Sequence, residues 1–149
     1  MYKKMLVPLD GSELAECVLP HVTTIAAGCS IGKVMLLRVV EPVPPETPPA
    51  TDFEAIQKAS LKAAEKYLAK IKTKLAKKGL NVETKVLPGK AAENITEFAE
   101  RNKVSIIALA THGRSGLSRW IFGSVADKIV RSSSVPVLLV KPKGAESGI

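Results

Sequence analysis

Four short apolar runs punctuate this chain, Met5 to Leu9, Val34 to Val40, Val104 to Leu109 and Val137 to Val140, each too short for a buried helix. Runs of that length read as strands covered on both faces, which is how the strands of a parallel sheet are placed. A fifth segment, Val82 to Leu87, alternates instead, with Val82, Thr84 and Val86 on one face and Glu83, Lys85 and Leu87 on the other. That is the pattern of a less buried or edge strand. Helical periods fill the gaps. Ser12 to Ala27 aligns Leu14, Val18, His21 and Ile25, with Pro20 as a point of kinking, and His21 reads as a structural residue on that face. Phe53 to Lys78 carries Ile56, Ala64, Leu68, Ile71 and Leu75 on one side and stops at Gly79. Ala91 to Asn102 repeats the pattern with Ile95, Phe98 and Ala99, and Ser124 to Arg131 with Val125, Ile129 and Val130. Strand and helix alternate throughout, which predicts an α/β domain with a doubly wound, five-stranded parallel sheet and helices on both faces.

At 149 residues the chain is about one domain long. We expect a single domain over residues 1–143 and a frayed tail over 144–149. The 46% hydrophobic and 24% charged content excludes disordered and fibrous classes. No apolar stretch approaches the ~20 residues of a membrane span, and the opening Met-Tyr-Lys-Lys-Met-Leu-Val-Pro lacks a signal-peptide layout, so a cytoplasmic protein is expected. Cys17 and Cys29 have no partner at metal or redox spacing and read as reduced, buried, small apolar residues.

The net charge of +8 raises the question of a nucleic-acid or membrane partner. Its placement argues against both. Eight lysines against three acids lie between Asp52 and Lys78, and the row Lys58, Lys62, Lys66, Lys70, Lys74, Lys78 steps by four. Each such step overshoots a helical turn by about 40°, so the row winds around the helix instead of forming one stripe. With aromatics at 4% and no stacking motif, the lysines read as a solvated face.

Ala110 to Ser124 holds Gly113, Gly116, Gly123, Ser115, Ser118 and Ser124 between a strand and a helix start. Small residues let a backbone approach a ligand, and a helix start offers N–H groups and a positive dipole end, so phosphates are the expected guests. The first strand ends in Val7-Pro8-Leu9-Asp10-Gly11-Ser12, a carboxylate at a strand-to-helix turn. If those two strands are neighbours, one crevice holds an acid and a phosphate cradle. Two readings stay open for Asp10, since it also suits capping of the first helix with Ser12. The stretch Glu41 to Thr51, with Pro42, Pro44, Pro45, Pro48 and Pro49, is an irregular surface connection or a lid.

The opening Lys-Lys-Met-Leu-Val-Pro-Leu-Asp-Gly-Ser, the Ala-Thr-His-Gly loop, nine residues, Gly-Ser-Val-Ala, and the closing Val-Pro-Val-Leu-Leu-Val-Lys-Pro resemble the universal stress protein family over nearly the whole chain. The resemblance implies a Rossmann-like fold of the adenine nucleotide alpha hydrolase type. The nucleotide-binding branch carries Gly-x-x-Gly, nine residues, then Gly-Ser or Gly-Thr; Ala110, Gly113, Gly123 and Ser124 stand at those places, with alanine for the first glycine. Carried over by position, the implied site takes Pro8, Leu9, Val39 and Leu109 with the base, and Asp10 near the ribose or a divalent cation. Ala110, Thr111, His112, Gly113, Arg114, Ser115 and Gly116 wrap ribose and phosphates, and Gly123, Ser124, Val125 and Ala126 meet the phosphate chain. ATP or another adenine nucleotide is the implied cofactor, with magnesium or manganese at its phosphates. His112 reads as structural, Arg114 and Arg119 as phosphate partners or plain surface cations, Trp120 and Phe122 as core or dimer contacts.

The resemblance further implies a homodimer through Val135 to Lys141, an apolar terminal strand that would otherwise leave a bare sheet edge. The chain lacks Gly-x-x-x-x-Gly-Lys and an evident base and nucleophile pair, so the expected activity is nucleotide-dependent regulation in the stress response through protein partners, with slow ATP hydrolysis at most. The alternative is a dimeric interaction module of the same family that binds no nucleotide.

Overall fold

The computed structural model describes residues 1–44, 48, 52–111 and 123–142. Strands β1 (Lys4–Pro8), β2 (Lys33–Val40), β3 (Val82–Pro88), β4 (Ile106–Ala110) and β5 (Val137–Val140) alternate with helices α1 (Leu19–Gly28), α2 (Phe53–Ala76), α3 (Ala91–Arg101) and α4 (Ser124–Ser132). The sheet order is β3-β2-β1-β4-β5, and every neighbouring pair is parallel. The chain therefore winds outward from β1 to β3, returns, and continues on the other side of β1. Strand order reverses between β1 and β4, whose carboxyl ends border one crevice.

The alternation of the strands separates two cores. Met5, Val7, Val34 and Leu36 face Val18, Val22 and Ala26 of the first helical segment and Leu68, Ile71 and Leu75 of α2. Leu6, Met35, Leu37, Val39, Ile107 and Leu109 face Ala92, Ile95 and Ala99 of α3 and Ala126 and Ile129 of α4. The continuous apolar runs thus mark strands with a helix layer on each side. The edge reading of β3 agrees with its exposed centre. β5 is the other edge, and only Val140 of it is buried, against the expectation of full burial.

The first helix departs most from its sequence pattern. Ser12 to Ala27 is not one helix: a 3-10 turn over Ala15–Val18 precedes α1, and Pro20 falls in the first turn of α1, where its missing N–H is not needed. Because a 3-10 turn repeats every three residues, the buried stripe runs Ala15, Val18, Val22, Ala26. Leu14 and His21 are exposed and Ile25 is only partly covered, so His21 is not a residue of an apolar face. Cys29 is exposed beyond the end of α1, whereas Cys17 is partly buried and burial raises its thiol pKa. Ile56 and Val130, expected on the inward faces, are also exposed, whereas Ala64 faces inward as expected and Ala126 does so in α4. β4 begins at Ile106 instead of Val104, because the Val104 amide returns to the Ala99 carbonyl and closes the end of α3.

Candidate functional site

β1 stops at Pro8, and the Leu9 amide still reaches the Leu37 carbonyl before the chain turns away. Gly11 has φ +86°, a left-handed conformation that glycine adopts without strain, and it swings the chain across the sheet end. Asp10 Oδ1 accepts the Ser12 amide at 2.9 Å and the Ser12 hydroxyl at 2.5 Å, and Ser12 Oγ accepts the Ala15 amide at 3.1 Å. Both readings of this carboxylate therefore meet at one place: Asp10 fixes the start of the 3-10 turn through Ser12, and it also borders the crevice.

On the far side, Thr111 follows β4. Its amide donates to Val140, and its carbonyl accepts the Gly123 amide at 2.6 Å, so the two ends of the glycine-rich segment are tied together. Gly123 is the N-cap of α4, and no side chain caps that helix start among the described residues. The first-turn amides of α4 thus face the crevice with the positive end of the helix.

A cleft of about 570 Å³ occupies this space. Pro8, Leu9, Asp10 and Val39 line it from β1 and β2, and Leu109, Ala110 and Thr111 from β4. Gly123, Ser124, Val125 and Ala126 complete the opposite wall. Of the residues expected from sequence, His112, Gly113, Arg114, Ser115 and Gly116 lie outside the described residues, as do Ser118, Arg119, Trp120 and Phe122. Ala110 ends β4 paired to Val140, and the non-glycine residues with positive φ among the described residues are Ser30 and Lys103, so Ala110 sits at an ordinary strand φ. Pro42 and Pro44 wall the cleft, while residues 45–47 and 49–51 of the proline-rich stretch are outside the described residues.

Such a cleft can hold a flat apolar group against Pro8, Leu9 and Val39 and an anion at the start of α4. Among the described residues there is no cluster of three or more His, Cys, Asp or Glu side chains able to hold a metal ion alone.

A match to the universal stress protein family spans residues 1–141. The chain belongs to that family. Universal stress protein MJ0531 of Methanocaldococcus jannaschii is 33% identical over 142 residues, covering 95% of this chain and 83% of the relative. The solved structure of MJ0577 from the same organism superposes with a TM-score of 0.84 at 34% identity, covering 97% of this chain and 99% of that one. A universal stress protein from Archaeoglobus fulgidus in complex with dAMP shares the fold, with a TM-score of 0.62 at 22% identity over 94% of this chain and 98% of that one. For this universal stress protein the doubly wound fold is therefore supported by its own sheet and by its relatives.

Sequence reasoning passed over Arg38. It lies within the apolar run of β2, lines the cleft, and donates from Nη1 to the Val39 carbonyl at 3.0 Å. A lone cation near the carboxyl end of an otherwise buried strand was the available signal. Tyr67 of α2 lies close by: burial first, then the Glu16 carboxylate, then Asp10, push its phenol well above the ordinary range, with the Arg38 charge opposing them.

Proposed function

We propose that this cleft binds an adenine nucleotide, ATP above all, and that the protein works as a nucleotide-dependent regulatory homodimer in the stress response. One observation carries the reading: Asp10 and the uncapped start of α4, far apart in sequence, line one cleft at the point where strand order reverses. The base lies against Pro8, Leu9 and Val39, and the phosphates meet the amides of Ser124, Val125 and Ala126. The dAMP held by the Archaeoglobus fulgidus relative supports the same ligand class. Asp10 would help hold a magnesium or manganese ion brought in with the phosphates, since such ions take one or two carboxylates plus phosphate rather than a full protein cage, and the ion would neutralise phosphate charge. Hydrolysis is slow at most in this proposal, for want of an evident base and nucleophile pair.

The proposed unit is one domain over residues 1–143 with residues 144–149 as a tail. It pairs through Val135 to Lys141 and works in the cytoplasm; no helix among the described residues is long and apolar enough to cross a membrane. The competing reading, a dimeric module that binds no nucleotide, draws on the Ala110 methyl at the cleft wall. Isothermal titration with ATP and magnesium separates them. Saturable heat at micromolar protein supports the proposal, and its absence in the wild type with recovery in Ala110→Gly supports the module.

A further inference from the structure

Helix α2 crosses between two parallel strands, β2 and β3, so it runs back against them and its start lies at the carboxyl end of the sheet, where the cleft opens. Burial first, and then the charges of Glu16, Asp10 and Arg38, act on the Tyr67 phenol, so the Tyr67 face of α2 is turned toward the ends of β1 and β2. Ser60 precedes Tyr67 by seven residues, which returns a helix to nearly the same face about 10 Å nearer its start. There Ser60 lines the cleft from the side that the base and phosphate residues do not supply. Val39, Leu109 and Ala126 belong to the core under α3 and α4, whereas α2 covers the opposite face of the sheet together with Leu9 and Ala15.

The hydroxyl of Ser60 is also uncommitted. Thr23, Thr24, Thr73, Thr96 and Ser132 each donate to the carbonyl four residues back in their own helices, but Ser60 makes no hydrogen bond among the described residues. A nucleotide with its base on Val39 and its phosphates at the start of α4 is held by the α3 and α4 side of the cleft at both ends. Its sugar lies between them, over the end of β1, with the α2 wall facing it. A ribose hydroxyl both donates and accepts, as a serine hydroxyl does, so the two can pair. We infer that Ser60 reads the sugar of the bound nucleotide, favouring ribonucleotides over their deoxy counterparts.

This inference rests on the nucleotide reading of the cleft, and the test keeps the two apart. Wild-type protein and Ser60→Ala are titrated with ATP, 2′-deoxy-ATP and 3′-deoxy-ATP in the presence of magnesium. Alanine favours the helix more than serine does, so the variant is expected to fold. In the wild type at least one deoxy compound is expected to bind about threefold or more weaker than ATP, as loss of one neutral hydrogen bond predicts. In Ser60→Ala that penalty is expected to fall below half its wild-type size, because ATP no longer gains the bond. The ratio is the readout, since a merely structural role for Ser60 lowers all three affinities together. A wild type that penalises both deoxy compounds by less than about threefold overturns the inference, and so does a penalty that Ser60→Ala leaves at half its size or more. If the wild type binds none of the three, the proposed function falls and takes this inference with it.

Discussion

Ser12 gives Asp10 Oδ1 both its amide and its hydroxyl hydrogen while accepting the Ala15 amide, so one serine ties the cleft carboxylate to the helical segment behind it. Ser12→Ala removes two of these three bonds and is expected to lower stability by about 1 kcal/mol, as loss of a capping hydroxyl does, measured as a shift in the urea midpoint. Tyr67 makes a different prediction. Its phenol is raised above the ordinary 10.0, foremost by burial and then by Glu16. The unfolded chain releases that proton before the folded one does, so this contribution is complete below pH 10 and is lost as pH rises beyond it. Urea unfolding at neutral pH and at about pH 11 should therefore show a steeper loss of stability in the wild type than in Tyr67→Phe. Asp10 was legible in the sequence because a carboxylate directly after an apolar strand has few other places to go. Arg38 was not, since it sits inside an apolar run and bonds a carbonyl of its own strand, and no local pattern marks it as a cleft residue.

Helix ends show how local chemistry and tertiary demand share control. After α2, Leu80 donates to Leu75 and Gly79 to Ala76, closing the helix around Gly79 at φ +84°. The same closure ends α3, where Val104 donates to Ala99 and Lys103 to Glu100, but here Lys103 occupies the left-handed position at φ +52°. Lysine is strained there and glycine is not, so Lys103→Gly should stabilise the fold by up to about 1 kcal/mol, read as a raised thermal midpoint. Both ends were readable to within a residue or two: the patterns run to Lys78 and Asn102, and the helices stop at Ala76 and Arg101. The long helix was phased correctly over Ala64, Leu68, Ile71 and Leu75 because its pattern repeats many times. The first was mis-phased because the 3-10 turn changes the period midway, leaving His21 exposed.

Across the whole molecule, the parallel sheet followed from strand and helix alternation, and the strand order places β1 beside β4 as the shared crevice requires. The far end of the sheet bears on assembly. Ile107 donates to Pro136 and Thr111 to Val140, so Val137 and Leu139 turn their backbone groups away from β4 toward the open edge. Proline is tolerated at an edge position whose N–H points outward, so Val137→Pro should leave the fold intact while removing a pairing donor. Light scattering should then report a dimer for the wild type and a monomer for the variant; a wild-type monomer contradicts the proposed assembly. The cleft between β1 and β4 is the proposed nucleotide site, and a crystal structure grown with excess ATP and magnesium tests that most directly. It should show the base beside Val39 and the phosphates on the first-turn amides of α4, across from Asp10. A cleft that remains empty at saturating ATP, or nucleotide density elsewhere on the molecule, contradicts it.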